Sequence, residues 1–141
     1  MDGHPDPIPF EEIADNIPTL CWLADETGSI FWYNAQWYAY TGTGPEAMAG
    51  WGWRSVHHPK TLGDVLERWV NCIATGEPFE MVFPLRGADG VYRPFLTRVR
   101  PVMNGKQIRS WFGVNIEISA VMGDPAFHDE WIRLSIKMGE A

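Results

Sequence analysis

Residues 79–118 read FEMVFPLRGADGVYRPFLTRVRPVMNGKQIRSWFGVNIEI, and the pattern in this stretch decides the fold. Phe79, Met81, Phe83 and Leu85 alternate with Glu80, Val82, Pro84 and Arg86. A period of two is the mark of a strand with two distinct faces. Gly87-Ala88-Asp89-Gly90 reads as a turn, and Asn104-Gly105 is a strong hairpin signal. Val91–Val102 and Gln107–Ile118 then supply two further strands. Three consecutive strands joined by tight turns must run antiparallel. Pro84 and Pro94 each remove a ladder donor, so each must sit on a free edge, at a bulge or over a locally opened pairing.

Upstream of this meander, Lys60–Thr75 is the clearest helix. Leu62, Val65, Leu66, Trp69, Val70 and Ile73 recur at helical spacing, and Gly76 stands where a left-handed C-terminal residue belongs. Thr61 is the expected cap. Asn34 is a good N-cap for a short helix carrying Trp37, Tyr38 and Tyr40, which Thr41-Gly42 stops. Gly44-Pro45 starts another helical turn. Leu20–Ala24 and Ser29–Tyr33 flank the turn cluster Asp25–Gly28 as a β-hairpin. Phe10, Ile13 and Ile17 mark a short helix ended by Pro18, and residues 1–9 read as a loose, Pro-rich leader. The order is ββ, helices, βββ. The fold class is α+β, with helices packed on one face of a single sheet.

Composition narrows the function. Of 141 residues, 45% are hydrophobic and 21% charged, which supports a packed core rather than disorder. The net charge of −7 and the lack of a basic run argue against nucleic acid as a partner. No apolar stretch approaches the roughly 20 residues that cross a bilayer, so no membrane partner and a cytoplasmic location are expected. Cys21 and Cys72 have no metal-type or redox-type spacing and read as free thiols. Eight tryptophans demand a large core, a lined cavity or an apolar patch.

With these elements in place, the residues between Pro18 and Ile118 resemble a known family. Trp22 and Asp25 before Gly28, Asn34-Ala35-Gln36-Trp37 and Tyr40-Thr41-Gly42 look like the opening of a bacterial PAS domain. Pro45-Glu46, Gly50-Trp51-Gly52-Trp53 and His58-Pro59 are similar to the signature of the subgroup common in sensor histidine kinases. Gly76-Glu77-Pro78-Phe79-Glu80, Asp89-Gly90, Tyr92-Arg93, Arg100-Pro101-Val102 and Trp111-Phe112-Gly113 continue the match in order. The resemblance implies a five-stranded antiparallel sheet, a PAS fold, with a ligand site between the sheet and its helices. It departs from the family's usual pattern at Lys60-Thr61, where acids are common, and at Pro84 and Pro94.

The resemblance also places candidate cavity residues: Trp37, Tyr40, Trp53, Trp69, Cys72, Phe83, Phe95 and Trp111, with Asn115 or Arg98 as polar contacts. Filling of the core is the plain alternative for the aromatics. If they enclose space, it suits a flat or apolar small molecule. Light-sensing flavin members carry a reactive cysteine in the region matching Ala47–Gly52, and none stands here, so no flavin photoadduct is expected. Haem-binding members use a histidine on the long helix, which this helix lacks. Cys72 could ligate haem iron as thiolate, but a buried core thiol is the expectation, and haem is not predicted. His57-His58 invites a metal reading, yet adjacent imidazoles point apart and no acid or thiol cluster accompanies them. No metal is predicted.

Beyond a break at Ser119–Gly123, Asp124-Pro125 opens a C-terminal helical extension, 119–141, after the sensor domain 10–118. Phe127, Trp131, Leu134 and Met138 form one apolar stripe along it. The stripe either packs on its own domain or serves as a dimer seam or partner contact. No nucleophile–base pair, paired acids or phosphate loop is present, so the chain is expected to be non-catalytic. The expected function is a PAS sensory module binding a small-molecule effector or a signalling protein, within or beside a bacterial two-component system. The alternative is a ligand-free dimerisation scaffold using Val82, Pro84, Pro94 and the Trp131 stripe. A small enzyme would require His57 or His58 to face an interior carboxylate.

Overall fold

The strands are β1 (Leu20–Asp25), β2 (Ile30–Tyr33), β3 (Phe79–Arg86), β4 (Tyr92–Asn104) and β5 (Gln107–Glu117). In the computed structural model, which describes residues 7–118 and 125–139, they form one antiparallel sheet in the order β2-β1-β5-β4-β3. The C-terminal strand therefore closes against the N-terminal hairpin, with Leu20 opposite Asn115 and Ala24 opposite Trp111. The five-stranded antiparallel sheet expected from the sequence is present.

The helices are α1 (Phe10–Asp15), α2 (Ala35–Thr41), α3 (Pro45–Met48), α4 (Leu62–Thr75) and α5 (Pro125–Met138), with a 3₁₀ turn over Gly52–Val56. Asn34 caps α2 by accepting from Trp37 N. Gly76 ends α4 in the left-handed region, its N–H bonded to the Cys72 carbonyl at 2.8 Å. Thr61 occupies the cap position of α4, but its hydroxyl turns back to the His58 carbonyl at 3.2 Å rather than to the helix. The apolar face of α4 is also narrower than its sequence pattern. Val65, Trp69 and Cys72 are buried, whereas Val70 is 59% exposed. One residue beyond Trp69 is a rotation of about 100°, which carries Val70 off the core face.

Strand alternation divides the sheet. Phe79, Met81, Phe83 and Leu85 join Trp22, Phe95, Val99 and Trp111 in the main core beneath α4. Val82, Leu96 and Ile118 form a smaller cluster on the opposite face, covered by Phe127 and Trp131 of α5. Further along α5, Leu134 enters the main core and Met138 is buried. The helix thus bridges both sides of the sheet at its β3 edge. Lys137 pairs with Asp64 of α4 at 2.6 Å, and Arg68 of α4 with Glu130 at 3.5 Å.

The prolines fit this edge. Pro84 faces Pro94 across β3 and β4. The Pro94 carbonyl accepts from Ile118 N at 3.2 Å, on the β5 side. A strand residue directs its N–H and C=O to the same side, so this pair asks neither proline for a donor within the β3–β4 ladder. Pro84 faces the free edge. The break at Ser119–Gly123 and the cap at Asp124 lie outside the described residues, as does most of the leader.

Candidate functional site

Between α4, the 3₁₀ turn and the inner sheet face lies a cavity of about 40 Å³. That is room for roughly three water molecules. Four indoles dominate its wall: Trp22 from β1, Trp37 from α2, Trp53 from the 3₁₀ turn and Trp69 from α4. Phe79 and Phe83 of β3 and the aliphatic Ile30, Val65 and Val99 complete the apolar lining. Its polar members are His57, Thr97 and Asn115.

Two of these polar residues satisfy each other. Asn115 accepts from Trp22 Nε1 at 3.0 Å and donates to Thr97 Oγ1 at 2.6 Å, which ties β1, β5 and β4 together inside the core. Asn115 is 2% exposed, so this chain of bonds replaces water that burial removed.

His57 is different. Its backbone bridges Leu85, and its ring lies against Phe83 (4.8 Å between centroids) and Trp53 (5.2 Å). Burial lowers its pKa from 6.5 to about 3, so the imidazole is neutral. Its Nδ1 has no hydrogen-bond partner, and neither do Trp37 Nε1 and Trp53 Nε1. All three side chains line the cavity. A buried polar group left unpaired costs about 1–3 kcal/mol; Tyr33 OH, Gln36 Oε1 and Trp111 Nε1, on residues outside the lining, share that state. No acid belongs to the lining, so His57 has no carboxylate facing it there. His58 lies outside, where its Nδ1 accepts from Lys60 N at 3.1 Å. Among the described residues no group of three or more His, Cys, Asp or Glu could hold a metal.

A sequence profile described as the PAS fold matches residues 30–115 of this chain. The chain belongs to the PAS family. An uncharacterized protein of Sinorhizobium fredii, y4lL, is 35% identical over 98 residues, covering 68% of this chain. The present PAS chain spans 12% of that protein's length. Among solved structures, a LOV protein of Rhodobacter sphaeroides superposes with a TM-score of 0.67 at 14% identity, covering 92% of this chain and 79% of that one. The LOV domain of a blue-light activated histidine kinase from Erythrobacter litoralis gives 0.62 at 20% identity, covering 73% and 98%. At these identities the likeness is one of fold.

The PAS cavity gathers five of the residues expected from the sequence: Trp37, Trp53, Trp69, Phe83 and Asn115. Four others lie in the surrounding packing instead. Trp111 stacks edge-on behind Trp69 at 5.1 Å, and Tyr40 packs on Phe95 at 4.9 Å while its hydroxyl donates to the Leu85 carbonyl. The Cys72 thiol turns toward the Pro78 carbonyl at 3.7 Å. Arg98 points to the outer face, paired with Glu80 at 2.9 Å, because it is one residue out of phase with Thr97 and Val99. Sequence reasoning missed Trp22 and His57. The order of β1 against β5 would have found Trp22, since Trp22 faces Gly113, where no side chain intervenes. The stripe of Phe127, Trp131, Leu134 and Met138 is occupied within the chain, by the outer cluster and the main core. Among the described residues, no helix is long and apolar enough to cross a membrane.

Proposed function

We propose that this chain is the sensory module of a bacterial signalling protein, and that it responds to a small molecule held in the indole-lined cavity. The observation that carries this reading is the set of unpaired polar atoms on Trp37, Trp53 and His57 around a space that protein atoms leave open. A cavity serving packing alone would be apolar or satisfied. The guest is much smaller than a flavin or a haem, so the reading assigns neither. It assigns no catalytic step, since the lining offers no acid–base pair.

Occupancy would be read out through α5. That helix contacts α4, whose Val65 and Trp69 line the cavity, and β3, whose Phe79 and Phe83 do so. A guest that favours one packing of Trp69 would shift the population of docked α5. The likeness to the LOV domain of a histidine kinase supports a two-component setting, and with it a cytoplasmic location.

Val65→Trp tests the reading by filling the cavity from α4. In a thermal-shift screen of small metabolites, ligands should raise the melting temperature of the wild type and leave the filled variant unchanged. A screen in which no compound distinguishes the two proteins would remove ligand sensing as the function.

A further inference from the structure

Positive charge in this acidic chain is gathered on one hairpin. Residues 90–116 carry five of the 11 lysines and arginines and none of the 18 acids. Arg93 and Arg98 are paired with Asp89 and Glu80. Arg100, Lys106 and Arg109 are exposed and, among the described residues, belong to no ion pair. Asp25, which the register sets opposite Ser110, turns its carboxylate to Thr27 and Ser29 instead.

The three cations sit where the β4–β5 hairpin outruns its neighbours. β3 ends its pairing with β4 at Val99, and β1 ends its pairing with β5 at Ser110. Residues 100–109 therefore project as a two-stranded ribbon. Val102 and Met103 on it are 42% and 50% exposed. Arg100 and Val102 share the outer face with Arg98, and the half-buried Phe112 lies opposite Arg100. Arg109 directly precedes Ser110, the partner of Val102.

The ribbon has a free backbone edge on the β4 side, but that edge is poor for strand addition. The Pro94 carbonyl serves β5, so alternation turns Pro101, seven residues on, to the opposite side, past the end of β3. Pro101 has no N–H to offer there. Recognition at this end therefore falls to side chains, cations set among apolar groups with no acid between them. Carboxylates flanking an apolar side chain are the complement of such a surface. Lys106 lies in the turn, whereas Arg100, Val102, Arg109 and Phe112 lie along the strands. A flat anionic bilayer would meet the turn first, while a peptide segment can lie along the strands. We infer that the projecting end of the β4–β5 hairpin is a docking surface for a short acidic segment of a partner protein, one that carries apolar side chains among its carboxylates. The inference is independent of what the cavity holds.

A capped peptide of three Glu-Glu-Leu repeats, added to the nitrogen-labelled full chain, tests it. At about 0.15 M salt, exposed charges more than roughly 8 Å apart are largely screened, so binding there reports local contact. The amide signals of Arg100, Val102, Arg109 and Phe112 should shift in proton–nitrogen NMR. Arg100→Glu combined with Arg109→Glu should weaken the peptide roughly tenfold or more. Lys60 is the control. It precedes the N-terminus of α4, whereas the hairpin meets the other end, where Ile108 lies by Gly76. Lys60→Glu should change the affinity by less than about twofold. A peptide with serine in place of leucine should bind at least about threefold more weakly.

Shifts scattered over the whole surface, or equal weakening by Lys60→Glu, would mean unspecific attraction and overturn the inference. Equal affinity for the serine peptide would overturn it too, since charge alone would then suffice. Mixed phosphatidylserine–phosphatidylcholine vesicles and a short DNA duplex are the rival anions. Tighter binding of either at the hairpin than of the peptide would assign the surface to that partner instead. The wild-type shift map is read without any variant, so the result does not depend on the substituted proteins folding. Ligand sensing in the cavity stands or falls separately.

Discussion

The Glu130 carboxylate of α5 accepts a hydrogen bond from the backbone N–H of Val82 on β3, the strand at the open edge of the sheet. Edge strands present unpaired backbone groups that invite association with other chains. Here three successive outward positions are closed by different means. The Glu80 carbonyl accepts from Arg68 at 2.9 Å, the Val82 N–H is taken by Glu130, and Pro84 has no N–H to offer. A residue of the tail helix is thus one of the three that close the edge.

Glu130→Ala should therefore free the Val82 amide and loosen α5. The expected loss of stability is about 1–3 kcal/mol, as for a bond to a charged acceptor. Hydrogen exchange at Val82 should accelerate by roughly tenfold or more, and Trp131 should become more accessible to a fluorescence quencher. Arg68→Ala should have a smaller effect, because the Arg68–Glu130 pair is partly exposed and 3.5 Å apart. Unchanged protection of Val82 in Glu130→Ala would show that the helix is docked by its apolar stripe alone.

His57 makes stability depend on pH. Its pKa lies near 3 in the folded protein against an ordinary 6.5. Below 6.5 the unfolded chain binds a proton that the folded chain refuses, so stability is full above that pH and declines as pH falls toward 3. The limiting slope for one proton is about 1.4 kcal/mol per pH unit. Asp25 and Asp89 have carboxyls held below the usual range by their hydrogen bonds, so they contribute at lower pH. Urea midpoints measured from neutral pH down to about 4.5 should fall in the wild type and fall less in His57→Phe. Parallel curves for the two proteins would assign the acid sensitivity elsewhere.

Asn34 joins three elements through one side chain. Its Oδ1 accepts from Cys21 N at 3.0 Å and Trp37 N at 3.2 Å, and its Nδ2 donates to the carbonyls of Ala14 at 3.0 Å and Thr19 at 2.8 Å. The residue is fully buried. Asn34→Ala would strip the side-chain partner from the Cys21 N–H and the Thr19 carbonyl, remove the cap of α2, and leave Trp37 N and the Ala14 carbonyl only their backbone bonds to Asn34 O and Ile17 N, with an expected loss of about 2–4 kcal/mol. Asn34→Asp keeps the acceptors and loses the donors, so it should release α1 while α2 stays capped. Equal loss of helix signal and of α1 protection in both variants would contradict that division.

The contrast between Asn34 and His57 explains what the sequence makes legible. Asn34 was readable as a cap because capping is local: a short polar side chain stands just before a helical pattern. The meander 79–118 and α4 were readable for the same reason, since alternation, turn residues and helical spacing lie within a few residues of each other. The three further bonds of Asn34 were not readable, because they depend on where α1 and β1 arrive. His57 could not be placed on the cavity from sequence, since adjacent histidines give no sign of which one faces inward. Its isolated bridge to Leu85 decides that, and the bridge joins residues far apart in sequence. The same limit separated Trp53 from Trp111: both are buried, but only the chain's path places one on the cavity and the other behind Trp69. The stripe on α5 was legible as a stripe. Its partner was not, because amphipathicity states that a face is covered and not by what.

Gly113 lies directly against the Trp22 indole across the β1–β5 pairing. A Cβ on Gly113 would overlap the six-membered ring of the Trp22 indole. The indole cannot easily swing aside. Its N–H is held by Asn115 Oδ1 at 3.0 Å, and its ring meets the edge of Trp69 at 6.0 Å. Gly113→Ala should therefore destabilise by about 1–3 kcal/mol or more, the range for overpacking a well-filled core. Trp22→Phe alone also destabilises, through lost area and an unpaired Asn115. In the double variant the smaller ring leaves room for the new methyl, so the combined loss should be less than the sum of the two by about 0.5–3 kcal/mol. Urea unfolding of the four proteins closes the cycle. Strictly additive losses would mean that the alanine acts on the β5 backbone rather than on Trp22, and that the ring is free to move out of its way.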